Sequence, residues 1–359
     1  MTEWIENAST GQVSVLLGAI AGLGFGALAQ QSKFCLRAAC IEFWRGDLGP
    51  KFAIWLLAFS AALIATQLLI LGGQLDTGSI RQLTTTGSLS GAILGGSLFG
   101  WGMVMARGCA SRLLVLSATG NQRALVAGLV VTLISQATLR GGLSPLREWL
   151  GGLWLVDASL RNLADWLPVG APLAAGVALL MGGIALGRRH GTALWPALAA
   201  VGVGLCIALG WGLTAWHAGW SFDIVAVKSV SFTGPSADTL MGVINLPSLP
   251  LSFDIGIVMG VFAGSMLAAL ATGQFKLQSF TEQTGLSRYL LGACLMGFGG
   301  MLAGGCAVGA GVTGGAVMAL TAWVALLFMW LNAGIADWAL DRSIEPAPLI
   351  RDEKGSVGA

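Results

Sequence analysis

Three cysteines stand where a thiol and a helix end would meet. Cys35 follows Phe34 in "QQSKFCLRAAC", Cys109 closes "GWGMVMARGC", and Cys306 closes "GFGGMLAGGC". A thiol is a weak, polarizable donor and a soft partner, so it suits a sulfur-containing anion better than chloride or phosphate. Glycine lets the backbone approach a ligand closely, and a helix that starts there presents free N–H groups at its positive end. "ARGCASRLL" and "AGGCAVGAG" therefore read as one half-helix ending and another starting, with Gly108 and Gly305 supplying amides. Arg107 and Arg112 flank Cys109 and would offset the desolvation of an anion, whose unpaired charge is prohibitive in a low-dielectric site.

The alternatives divide by chemistry. A persulfide-forming sulfurtransferase would need a thiolate, which Arg107 and Arg112 would favour, yet no general base lies near any motif, since His190 and His217 fall elsewhere. Six cysteines without a CxxC pair, and only 2 histidines, assemble neither a zinc nor a haem site, so no metal and no cofactor is expected. Cys206 and Cys294 lie in apolar helices and read as free thiols. Cys40 has no counterpart elsewhere in the chain.

Charge points to an anion. Thr77 to Arg147 contains no Asp or Glu but holds Arg81, Arg107, Arg112, Arg123, Arg140 and Arg147, and Gln283 to Ala336 is likewise free of acids. A cation or proton pathway would place carboxylates near its breaks. No Walker motif supplies coupling to ATP.

The elements that must position these residues are membrane helices. Of 359 residues, 55% are hydrophobic and 10% charged, against roughly a quarter charged in soluble domains. Apolar runs recur from Val13 to Ala333, several short of the roughly 20 residues of a full span, which implies broken or re-entrant segments. The expected fold is an all-α polytopic membrane protein with about nine transmembrane helices plus half-helices. The leader carries Glu3 and Glu6 and has no signal-peptide pattern, whereas the first loop carries Lys33, Arg37, Arg45 and Lys51. The positive-inside rule then puts the N-terminus outside, and the C-terminus is assigned to the cytoplasm. Trp4, Trp44, Trp195, Trp211, Trp216 and Trp220 read as an interfacial belt. Gly234-Pro235 in "SFTGPSADTL" marks a turn in the long loop.

Laying Cys109 over Cys306 matches eight of sixteen positions without a gap between residues 95–110 and 292–307. "FCLR" at 34–37 is similar to "FKLQ" at 275–278, which makes Lys276 the counterpart of Cys35, each after a helix with glycines four apart. The organisation expected is a first repeat at 13–140, connecting helices and loop at 141–250, a second, inverted repeat at 251–338, and a polar tail at 339–359, in one transport domain. Interrupted segments in corresponding places of two repeats mark a transporter's midplane site.

At "QQSKFCLRAAC", "GWGMVMARGCASRLLVLSATGNQRALVAG", "GFGGMLAGGCAVGAGVTGG" and "SFTGPSADTL" the chain resembles the YeeE/YedE family of bacterial inner-membrane proteins. The resemblance implies thiosulfate uptake into the cytoplasm, through an hourglass-shaped helical protein whose pseudo-symmetric halves meet at a narrow waist. It assigns the functional cysteines to Cys35, Cys109 and Cys306, passing the ion by weak S–H···S contacts without covalent transfer. It also implies a small cytoplasmic TusA-like sulfurtransferase as partner. Its other members carry selenium or general sulfur compounds, so a related anion stays open as the cargo. The expected surroundings are the lipid bilayer, and no nucleic-acid partner is expected.

Overall fold

The computed structural model describes residues 9–245, 251–278 and 285–342. The acidic leader with Glu3, Glu6 and Trp4, and the tail beyond 342, lie outside the described residues. Among the described residues, nine helical spans are long and apolar enough to cross a membrane, so the chain is a multi-pass, all-α membrane protein. Among the described residues, sheet is confined to a two-residue ladder pairing Gly87–Ser88 with Leu155–Val156.

The helices are α1 (Thr10–Ser32), α2 (Leu36–Trp44), α3 (Pro50–Leu71), α4 (Leu89–Met105), α5 (Ala110–Ala118), α6 (Gln122–Arg140) and α7 (Ser144–Gly152). They continue with α8 (Ala171–Arg189), α9 (Leu194–Trp220), α10 (Thr233–Asn245), α11 (Phe253–Ala271), α12 (Leu286–Leu302) and α13 (Leu320–Asp337). A π-helical segment, Ala307–Thr313, follows α12. Starts follow local chemistry: Ser9 and Gln12 form a capping box on α1, and Pro50 opens α3 where no intrahelical N–H is needed. At 1.5 Å per residue α4 and α12 each reach about 25 Å, short of a hydrocarbon core of roughly 30 Å, so each span is completed by the segment beyond its break.

Packing fixes the directions. Carbonyls of Phe253, Ile257 and Val261 lie over Gly18, Gly22 and Gly26, and those of Val15, Ala19 and Leu23 over Gly256, Gly260 and Gly264. The contacts rise together in number, so α1 and α11 run parallel, backbone against backbone. Small residues allow that approach, which supplies the dispersion and Cα–H···O contacts that replace a hydrophobic drive inside lipid. α9 runs against α1, with Ser14 beside His217 and Leu28 beside Gly202. α4 runs against α12, with Gly95 on Gly299 and Gly102 on Gly292, and parallel to α13, with Gly96 on Ala325 and Gly100 on Met329.

We call the side where α1 begins the near face and the other the far face. The span α4–α5 runs near to far, and α12 with its π segment runs far to near.

Two expectations change. An overlay of 34–37 on 275–278 makes α1 the mate of α11 in an inverted repeat, yet these two helices run the same way while α4 and α12 run opposite ways. One inverted relation cannot contain both pairs. Cys35 also starts a helix, whereas 274–278 form no helix and only a bridge from Gln278 to Asn121. Glycines four apart produced the false match, because both helices need the same bare flank to touch each other. Trp44, Trp195, Trp216 and Trp220 are exposed as an interfacial belt requires, but Trp211 is buried at 1% exposure.

Gly260→Val drives its Cβ to 2.5 Å from the Ala19 carbonyl oxygen, with no flexible side chain to yield. It is expected to cost roughly 1–3 kcal/mol or more of overpacking and to lower the Tm in detergent. Gly182→Ala, in open space on α8, should leave the Tm unchanged or raise it; equal behaviour of the two variants would contradict the seam.

Candidate functional site

Both membrane breaks are built the same way. At the end of α4 the Arg107 amide donates to Val104 O (3.2 Å) and the Gly108 amide to Met103 O (3.1 Å), with Arg107 left-handed at φ 52°. At the end of α12 the Gly304 amide donates to Met301 O (3.4 Å) and the Gly305 amide to Gly300 O (2.8 Å), with Gly304 at φ 83°. These are Schellman ends, which satisfy carbonyls that lipid cannot. The next residue in each case, Cys109 or Cys306, is the N-cap of the following segment. The Gly108 and Gly305 amides are thereby committed to the helix ends. The donors that face onward come after the cysteines: the Gly309 amide donates to Cys306 Sγ (3.4 Å), and Ser111 Oγ lies 3.3 Å from Cys109 Sγ. The left-handed turn costs arginine about 1 kcal/mol that glycine avoids, and the Arg107 side chain itself is exposed.

Cys35 is the third N-cap, with extended backbone at φ −162° before α2. Its thiol neighbours the Cys109 thiol, with the Ala38 amide on the side of Cys35 and the Arg112 amide on the side of Cys109. The positive ends of α2 and α5 thus converge on two neighbouring thiols. Cys35 is half-buried and Cys109 fully buried. Arg112 adds a guanidinium whose Nη1 is buried without a hydrogen-bond partner, beside both cysteines. Sequence proximity placed Arg107 and Arg112 together; the structure turns Arg107 outward and Arg112 to the thiols.

Arg37, Arg45 and Arg288 are engaged in ion pairs. Asp341 receives Arg37 (3.4 Å) and Arg288 (2.7 Å), and the nearly buried Asp337 takes Arg45 in a two-pronged contact at 2.9 and 3.0 Å. Lys276 is exposed at the far face, its amide bonded to Thr119 O (3.1 Å) at the turn after α5, so it does not mirror Cys35. Cys206 faces Gly24, Cys40 is buried, and Cys294 is half-buried. No group of metal-ligating side chains exists among the described residues.

Cys306 has different company. Its thiol is approached by the amides of Phe232 and Thr233 as well as those of Val308 and Gly309. Thr313 Oγ1 donates to Val230 O (2.7 Å), and Ser229 Oγ donates to Ile207 O (2.5 Å), so the segment leading to α10 is fastened beside the π segment. The turn expected at Gly234-Pro235 in a long loop is instead the first turn of α10, where the missing proline N–H costs no intrahelical bond. The signal available was the proline two residues after Thr233, a residue tolerated in the first turn of a helix.

The sequence profile of the family described as sulphur transport matches residues 31–335, a stretch that holds all three capping cysteines and both breaks. The chain belongs to the sulphur transport family. The thiosulfate transporter TsuA of Escherichia coli K12 is 28% identical over 345 residues, covering 90% of this chain and 94% of that protein. The thiosulfate transporter TsuA of Spirochaeta thermophila is 27% identical over 343 residues, covering 90% and 98%. Similarity to these members of the sulphur transport family is therefore end to end and not confined to one motif.

Adjacency of the first pair is directly testable. In a variant retaining only Cys35 and Cys109, the thiol-bridging dye dibromobimane should give a fluorescent intramolecular adduct. A variant retaining only Cys35 and Cys294 should give none, and failure of the first pair to bridge would refute their contact.

Proposed function

We propose that the protein carries thiosulfate inward across the bacterial inner membrane, acting as a transporter and not as an enzyme. The observation that carries this reading is the meeting of the Cys35 and Cys109 thiols where two helix starts converge beside the unpartnered Arg112. An anion there gains donors, positive helix ends and a guanidinium, and a sulfur-bearing one also gains soft partners. The end-to-end likeness to two thiosulfate transporters supports the same cargo. The far face carries Lys33, Arg37, Arg45, Lys51, Arg188 and Arg189 against Glu42, Asp47, Asp337 and Asp341, which favours a cytoplasmic far face. The N-terminus is then periplasmic, and the C-terminal end of α13 cytoplasmic. The ion passes from Cys306 to Cys109 and Cys35, with delivery to a small TusA-like sulfurtransferase as the cytoplasmic step.

Arg112 also stands beside both thiols, and a thiolate formed there would take the outer sulfur of thiosulfate as a persulfide and release sulfite. Mass spectrometry after incubation with thiosulfate separates the readings: transport leaves every cysteine unmodified, and an added sulfur on Cys109 would favour transfer. In cells lacking other uptake routes, growth on thiosulfate as sole sulfur source should require this protein and fail for Cys109→Ala and Cys306→Ala. Normal growth of both variants would overturn the thiol pathway.

The near face opens into a cavity of about 390 Å³ lined by Arg81, Arg140, Lys228, Asp238 and Asp254, among others. Burial pushes the Asp238 carboxyl up from its ordinary value, against the opposing pull of Arg140 at 3.8 Å. Acidifying the outside protonates Asp238 ahead of ordinary carboxylates and makes the cavity more positive, so thiosulfate uptake should rise as external pH falls. Asp238→Asn should show the high rate across the range and lose that dependence; an unchanged pH profile would count against it.

A further inference from the structure

On the far face, α8 and α9 leave a wedge between them. Both helices rest on α3: Gly176 and Gly183 of α8 lie against Ile64 and Leu57, and Gly204 of α9 lies against the Ala58 carbonyl. Among the described residues α8 is the least buried of the nine spans. Toward the loop that joins them, the two helices part around a cavity of about 330 Å³ lined by Leu57, Ile184, Gly187, Arg188, Thr192 and Leu198, among others. Leu194 and Leu198 on its rim are 74% and 54% exposed, so the wedge opens sideways to the hydrocarbon around the protein. Its lining on α8 runs from Leu180 to Arg188, about 12 Å of helix.

The walls are apolar, but the mouth is not. Thr192 Oγ1 is buried there without a hydrogen-bond partner. Arg188 and Arg189 end α8; both are exposed and neither forms an ion pair among the described residues. The sequence from Trp166 to Phe222 contains no Asp or Glu, so neither helix brings a counter-charge of its own. Two arginines at a helix C-terminus suit the macrodipole, yet Arg188 stands at the cavity with its fork of donors unspent. Trp195 fixes the depth of the mouth. It is exposed, and its Nε1 donates to Gln31 Oε1 (3.5 Å) at the far end of α1, as a tryptophan at headgroup level does.

We propose that the wedge between α8 and α9 binds one anionic glycerophospholipid from the far leaflet. An acyl chain lies along Leu57, Ile184 and Leu198, and the phosphate meets the Arg188 guanidinium and the Thr192 hydroxyl. Basic pockets between membrane helices suit such headgroups, and an apolar cleft beneath one suits the chain attached to it. A second copy of the protein seated symmetrically on this face would instead bring its own Arg188 and Arg189 against these. The lipid completes the packing of α8, which otherwise leans on α3, and the site lies apart from the thiols and from whatever ion they handle.

The test uses full-length protein stripped of lipid in detergent, with phosphatidylglycerol or phosphatidylethanolamine of the same chains, read by native mass spectrometry and by Tm. Wild type should hold one phosphatidylglycerol, at least five-fold tighter than phosphatidylethanolamine, and gain Tm with it. Arg188→Gln should weaken phosphatidylglycerol roughly five-fold, the loss that goes with one basic residue at a membrane surface, and Arg188→Lys should keep most of the affinity. Ala197→Phe sets a ring into the cavity and should weaken both lipids and abolish the Tm gain. Arg147→Gln, on the near face, should bind as wild type does. Each variant is compared with its own Tm without lipid. Equal affinity of wild type for the two lipids, or undiminished phosphatidylglycerol binding by Arg188→Gln or Ala197→Phe, refutes the site. Glycerol 3-phosphate that raises the Tm as far as phosphatidylglycerol would assign the arginine to a free phosphate, and a dimer mass that Ala197→Phe dissociates would assign the wedge to a second copy; either overturns the lipid.

Discussion

Ending a helix inside a bilayer leaves peptide groups that lipid cannot satisfy, and the rest of this structure follows from how two such ends dispose of them. Each break turns its last carbonyls inward with a left-handed residue and then starts a new helical segment at once. Carbonyls are consumed at the end, whereas amides are exposed at the start. The asymmetry gives the breaks a positive character without any ionised side chain, and it explains why a cysteine, which neither carries charge at rest nor competes strongly for backbone, sits at the junction.

The arginines are disposed by the same economy of charge. Arg288 lies in a stretch of sequence without acids, yet Asp341 from beyond the end of α13 meets it as well as Arg37, and Asp337 meets Arg45. Local counts along the chain say nothing about partners folded in from elsewhere. What remains at the thiols is one guanidinium, Arg112, with a buried nitrogen left over. A single cation suffices to hold an anion in transit, whereas a cluster would hold it too well.

The all-helical, multi-pass fold was legible because hydropathy and helix length are properties of single segments. The duplicated breaks were legible too, since Gly-Cys between apolar half-spans has few other uses. Pairing between segments was not: glycines spaced by four mark any close contact, and in Gly18 to Gly26 and Gly256 to Gly264 they mark two helices touching each other and not two copies of one helix. Cys35 was legible as a reactive type but its contact with Cys109 was not, because that depends on where α2 begins in space.

The parallel seam between α1 and α11 joins segments that lie more than two hundred residues apart in the chain. A membrane protein is delivered to the bilayer from its N-terminus onward, so α1 arrives with its bare glycine flank long before α11 exists to cover it. During that interval α1 has α9 as a later, antiparallel neighbour and nothing on its other side. The contact order of the seam therefore makes it a closing step of assembly, and truncation anywhere before residue 253 leaves the most intimate backbone contact of the protein unmade.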